Sequence, residues 1–152
     1  MTIREYRQED YPQIKEIINN SLKEIVSKYY SEEVILAIRK FYTKDNIKKL
    51  TKVFIFENRN NPVGCIALNK NEAKMLYIEP SCKIKGEVAE KLLMQAKKFC
   101  IENKYKIMTG EALNSSINFC LKIGAKIISK KEEKIENIPV EVNIVEWELK
   151  NE

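Results

Sequence analysis

The sequence contains no histidine, and that absence removes several chemistries together. Ser-His-Asp hydrolysis, Cys-His nucleophilic catalysis and histidine-ligated metal catalysis all need an imidazole. Any proton transfer falls to Glu, Asp, Lys, Tyr, Cys or water. Cysteine is sparse as well: Cys65, Cys82, Cys100 and Cys120 lie far apart with no C-x-x-C pair. Neither a zinc site nor a disulfide framework is implied, no metal is expected, and reduced thiols in a cytoplasmic protein are the expectation. No apolar run approaches the length of a membrane span, and the opening MTIREYRQED is charged from its fourth residue with no apolar signal core, so a soluble chain without a membrane role is expected. Arginine is confined to Arg4, Arg7, Arg39 and Arg59, and aromatic residues are not interleaved with the basic ones, which speaks against a nucleic-acid groove. The net charge of +5, from 27 basic and 22 acidic residues, suits a polyanionic small ligand as well as it suits a lysine-rich background.

What the sequence does contain is a regular succession of elements. Its 152 residues suit one domain spanning 1–152, a size that buries roughly 70% of the unfolded surface without staples. Residues 2–7 alternate as a strand. Asp10 ahead of Pro12 is a helix start, followed by Ile14, Ile17, Ile18, Leu22 and Ile25 at helical spacing. Ser31, with Glu32 and Glu33 after it, opens a second helix, and a short turn follows Thr43. KVFIFE (52–57), VGCIAL (63–68) and residues 73–79 read as three strands of a meander separated by polar turns. A helix from Gly86 to about Glu102 carries Ala89, Leu92, Leu93, Ala96, Phe99 and Cys100 on one face. A strand over Tyr105–Met108, a helix over 114–123 stopped by Gly124, a strand over 125–129 and a final strand over 140–149 complete the pattern. The charge run KKEEK (130–134) reads as a solvated hairpin turn.

Everything converges on residues 75–93, MLYIEPSCKIKGEVAEKLL. A strand delivers the chain past Pro80 into a polar loop ahead of a helix, where unpaired N–H groups and the positive end of the dipole favour an anion such as phosphate. The loop resembles the cofactor loop of the GNAT superfamily of acyl-CoA-dependent N-acetyltransferases, Q/R-x-x-G-x-G/A. Lys83 stands for Q/R, Gly86 matches the first glycine, and Val88 takes the place of the second small residue. The element order (strand, two helices, three-strand meander, helix, strand, helix, two strands) is that of the same superfamily over nearly the whole chain. The resemblance therefore implies an α/β (α+β) GNAT fold: a mixed central sheet of six to seven strands with an antiparallel meander, flanked by about four helices.

It also implies a site. Ile84, Lys85, Gly86, Glu87 and Val88 would present backbone N–H groups to the pyrophosphate of acetyl-CoA, bound as a cosubstrate, with Lys83 and Lys85 adding charge. Leu76, Tyr77 and Ile78 would offer backbone groups to the pantetheine and the thioester carbonyl. Glu72, eleven residues before Lys83, has the spacing of the general base in some members, with Glu79 and Glu111 as alternatives. Segment 112–125, ALNSSINFCLKIGA, resembles a second cofactor segment, N-x-x-A-x-x-F-Y-x-x-x-G-F. Asn114 fits the residue that reaches the cofactor, and Cys120 stands where a tyrosine usually protonates the departing thiolate.

Cys120 also reads as a buried structural cysteine. Tyr29, Tyr30 and Tyr42, with Phe41, would line an acceptor site between the first two helices and the sheet. The acceptor would be a small-molecule or peptide amine, and a homodimer is left open. Two functions follow: an N-acetyltransferase acting by direct attack of a primary amine in a ternary complex, and a catalytically weak or inactive acyl-CoA-binding module of the same fold.

Overall fold

Ile14, Ile17, Ile18 and Leu22 are all buried along one side of helix α1 (Tyr11–Glu24), as their spacing requires. The computed structural model describes residues 1–150. Asp10 sets the entry to α1: its carboxylate takes two hydrogen bonds from the Arg4 guanidinium, each 2.8 Å, and one from the Arg7 N–H at 2.7 Å. The Arg4 hydrogen bonds hold the Asp10 carboxyl below its ordinary value against the opposing effect of burial. The same pair ties strand β1 (Thr2–Glu5) to the helix that follows it. Helix α2 (Glu32–Phe41) starts at Ser31, whose hydroxyl accepts from the Val34 N–H, and α3 (Lys44–Lys48) starts at Thr43 in the same way.

Strands β2 (Lys52–Asn58), β3 (Asn61–Asn69) and β4 (Glu72–Ile78) form the meander. Arg59 and Asn60 both adopt positive φ (53° and 64°), the two-residue turn whose twist matches a hairpin. Helix α4 (Lys85–Glu102) crosses back to β5 (Ile107–Ala112), then α5 (Ile117–Lys122), β6 (Lys126–Ile135) and β7 (Ile138–Glu148) follow. Among the described residues the sheet has seven strands, in the order β1-β2-β3-β4-β5-β7-β6. Every pairing is antiparallel except β4 with β5, the crossover expected of a helical connection. One core lies between the sheet and α1 and α2, containing Ile18, Ile38, Ile55 and Tyr77. The other lies under α4, containing Ile66, Val88, Leu92 and Trp147.

Several boundaries differ from the sequence reading, among them β1, which ends at Glu5, and β7, which begins at Ile138. KKEEK is not a turn: it lies inside β6, and the turn falls at Glu136 and Asn137, both at positive φ (49° and 65°). Backbone pairing of Lys130–Lys134 with residues 139–143 of β7 holds these charged residues extended at the sheet edge, where charge also guards against strand addition. Strand β5 begins later and runs to Ala112, because its six residues pair with β7 from Ile107↔Glu148 to Ala112↔Asn143. Glu111 is consequently inside the strand. Helix α5 is shorter than 114–123 because the Ser116 N–H closes a turn onto the Leu113 carbonyl at 2.8 Å.

Candidate active site

Strand β4 carries an irregularity that shapes the molecule's main cavity. Cys65 pairs with Tyr77 and Ala67 with Lys74, so Ile66 alone opposes both Met75 and Leu76. This is a β-bulge, with Met75 at φ 59°, a left-handed conformation that costs a non-glycine residue roughly 1–2 kcal/mol. Beside the bulge β4 leaves its parallel neighbour: only Glu72↔Thr109 and Ala73↔Gly110 are paired with β5. Past that point the two strands diverge.

A cavity of about 460 Å³ occupies the divergence. One side of it is walled by Lys85, Gly86 and Ala89 at the start of α4, with Ser116, Phe119 and Cys120 from the α5 region. Leu76, Ile78, Gly110 and Ala112 line the passage between the strands. The far side opens under α1 and α2, where Val26, Ile38, Phe41, Tyr42 and Glu111 form the wall. The cavity thus passes through the sheet from one helical layer to the other.

The residues present suit an acyl-CoA at this place. Helix α4 has no side-chain cap at its N-terminus, so the N–H groups of its first turn are free of side-chain partners. A Cβ built on Gly86 would meet nothing within 4 Å, and its φ is not positive. Neither turn geometry nor internal packing therefore requires a glycine there; it leaves a bare stretch of backbone facing the cavity. Lys83 and Lys85 flank it, both exposed.

Val88 belongs to the core instead. It is fully buried, its N–H already bonds to the Ile84 carbonyl at 3.0 Å, and its methyl would lie 3.2 Å from a Cβ on Gly64. A large residue at position 88 is accommodated because the small one sits across from it on β3. Ile84, at 38% exposure, and Glu87 lie outside the core at the helix entrance.

The carboxylates divide sharply. Glu72 sits where β4 and β5 are still paired, in an ion pair with Lys74 at 3.1 Å, and it is not part of the cavity wall. Glu79 is held by the Asn20 amide at 3.2 Å. Glu111 is the one placed at the divergence, and burial, hydrogen bonding with Glu133 and the nearby Glu133 charge push its carboxyl up to about 8, against the opposing pull of Lys74, 4.0 Å away. Lys74 stays charged: burial disfavours its ammonium, but the Glu72 pair and the Glu111 charge outweigh that.

Cys120 lines the cavity but is 5% exposed, and burial pushes its thiol up to about 11. Burial makes this thiol a weaker acid than a free one. The Cys65 thiol is pushed up to about 12 by burial and rests on the Met75 carbonyl at 3.5 Å.

Of the three tyrosines expected at an acceptor site, Tyr42 lines the cavity, edge-on to Tyr77 with ring centroids 5.8 Å apart; burial raises both phenols. Tyr29 is 55% exposed and away from it. The Tyr30 hydroxyl donates to the Glu141 carbonyl at 2.7 Å and accepts from the Asn114 N–H at 2.9 Å, so it pins the loop between β5 and α5. The Asn114 side chain is likewise taken, accepting from the Asn143 amide at 2.9 Å. Neither Tyr30 nor Asn114 forms part of the wall. Glu133 and Lys74, which do, were not singled out from the sequence. The available signal was that no turn-forming residue lies within KKEEK, whereas Asn137 is one.

Solved structures share this architecture. A GCN5-related N-acetyltransferase from Rhodopseudomonas palustris superposes with a TM-score of 0.89 at 20% identity, covering 97% of this chain and 95% of that one. The PaiA N-acetyltransferase from Thermoplasma acidophilum, in complex with coenzyme A, gives 0.71 at 22% identity over 97% and 98%. YncA from Salmonella typhimurium, with its cofactor acetyl-CoA, gives 0.68 at 15% over 100% and 95%. No family profile matches the sequence, and no curated protein does. The chain has the GNAT acetyltransferase fold. Among the described residues no helix is long and apolar enough to cross a membrane.

Proposed function

We propose that the chain is a single acetyltransferase-like domain that moves an acetyl group from acetyl-CoA to a primary amine by direct attack. The observation that carries this reading is the cavity through the sheet, which joins the uncapped start of α4 to the Glu111 carboxyl. Bound acetyl-CoA supplies an activated acyl carbon. The backbone at Lys85, Gly86 and Glu87, with Lys83 and Lys85, holds the phosphates, and the strand Leu76–Ile78 orients the pantetheine. Glu111, in its ionised form, accepts the proton that the ammonium must lose before nitrogen can attack. The N–C bond forms, the C–S bond breaks, the nitrogen gives its second proton to water and the sulfur takes one from water, while burial keeps the Cys120 thiol protonated. Solved neighbours with coenzyme A and acetyl-CoA bound support the choice of cosubstrate.

The base in this reading is Glu111 rather than Glu72, whose position outside the cavity wall and pairing with Lys74 favour a structural role. One observation favours the second reading, an acyl-CoA-binding module with little turnover: no phenol stands where Cys120 does. Thermal shift followed by thiol release separates the two. Acetyl-CoA and CoA should both stabilise the fold with rising concentration, and thiol should be released from acetyl-CoA only when an amine is added. No shift at millimolar ligand contradicts both readings, and a shift without release selects the binding module.

A further inference from the structure

The amine side of the cavity has an uneven chemistry. Its walls are mostly apolar, made by Val26, Ile38, Phe41, Tyr42 and Val142. Its two acidic groups, Glu111 and Glu133, both line this cavity, and the charge of Glu133 acts on the Glu111 carboxyl. Two lysines complete the charged part of the wall: Lys74, already paired with Glu72 at 3.1 Å, and Lys134, exposed beside Glu133 on β6.

A lone ammonium in such a space needs a counter-charge, and the carboxyl pair supplies one at a single point. A second ammonium on the same molecule would face apolar walls or one of the lysines, and burying it unpaired is costly. We infer that the acceptor is a primary monoamine with an apolar body, its ammonium seated between the Glu111 and Glu133 carboxyls and its body against Ile38, Phe41, Tyr42 and Val142. Polyamines and aminoglycosides are excluded by the same charges. This rests on the acyl-transfer reading and adds the acceptor class and a specificity role for Glu133.

The test is steady-state transfer by the full chain at saturating acetyl-CoA, comparing 2-phenylethylamine and hexylamine with spermidine and kanamycin. The monoamines should be favoured in kcat/KM by roughly tenfold or more. Glu133→Gln should raise the KM for 2-phenylethylamine roughly tenfold while the KM for acetyl-CoA stays put, which also reports an intact fold. Lys134→Glu, a change at an exposed strand position, should narrow the gap between spermidine and hexylamine. Spermidine or kanamycin used as well as the monoamines, an unchanged amine KM in Glu133→Gln, or an unchanged gap in Lys134→Glu would each overturn the assignment. Transfer to polycations alone, with stabilisation by acetyl-CoA intact, defeats the acceptor assignment and leaves acyl transfer standing. No stabilisation and no thiol release with any amine defeats acyl transfer, and the assignment with it.

Discussion

Glu111 and Glu133 line one cavity although a strand separates their own: Glu111 is on β5, Glu133 on β6, and β7 runs between them. In the ladder Glu111 is level with Ile144, which pairs onward with Ser129, four residues short of Glu133. The outer end of the β6–β7 hairpin therefore coils over the face of the sheet, with Ile135 and Ile138 packed on the core beneath α1 and α2. That coil encloses the side of the cavity proposed to take the amine.

The raised Glu111 carboxyl makes activity depend on pH in a defined direction. A base must be ionised to accept a proton, so kcat/KM should climb as pH rises through about 8. Glu133, Lys74 and Glu72 are the charges that shift this limb. Glu111→Gln should lower kcat by roughly 10²–10⁴-fold and abolish the limb, while acetyl-CoA still raises the Tm. Glu72→Gln should leave turnover on the high-pH plateau nearly unchanged and move the limb to lower pH. Initial rates across a pH series check both.

Stability should move in the opposite sense. The folded state holds the Glu111 proton up to about 8 against an ordinary value of 4.5, so it binds that proton more tightly than the unfolded chain. The contribution is fully present below about 4.5 and is lost as pH rises through about 8. Urea unfolding of Glu111→Gln should show a flatter profile than the parent over this window.

Gly86 and Gly64 predict contrasting outcomes for the same substitution. A Cβ at Gly86 meets no protein atom, so Gly86→Ala should hold or raise stability, by up to about 1 kcal/mol, yet weaken acetyl-CoA on the order of tenfold if a ligand needs that space. A Cβ at Gly64 would lie 2.8 Å from Ile78 Cδ1 and 3.2 Å from Val88 Cγ1, so Gly64→Ala should cost about 1–3 kcal/mol. Thermal unfolding with and without acetyl-CoA reads both.

Cys120 divides the roles of packing and acid. With its thiol held up to about 11 by burial, Cys120→Ala should change kcat less than threefold, within the scatter expected of a residue that does not move a proton, and should lower stability by about 1 kcal/mol. A large fall in kcat with an unchanged Tm would restore the thiol as the acid. Cys120→Tyr should raise turnover if a missing phenol is what slows the release of the thiolate.

The element order was legible because it rests on local pattern: the isoleucines of α1, the Ser31 start of α2 and the short apolar runs of β2 and β3 each reappear. Gly86 was legible in the same way, as backbone. The amine side was not, because it is made by long-range geometry. No local signal announces a bulge at Met75, the β5 segment Thr109-Gly110-Glu111 lacks apolar alternation, and coiling of the β6–β7 hairpin brings Glu133 to Glu111 from 22 positions away. Asn114 and Tyr30 were visible as polar and aromatic candidates, but only the coordinates reveal that Asn143 and Glu141 occupy them.

The most direct measurement mixes the protein with acetyl-CoA and a saturating primary amine, then follows free thiol and acetylated amine together. Acetyl transfer through this cavity predicts that both products appear in equal amounts, only when amine is present, and that Glu111→Gln suppresses both while keeping the thermal shift with acetyl-CoA. Thiol release that ignores the amine, or a Glu111→Gln protein that turns over at the parent rate, would contradict it.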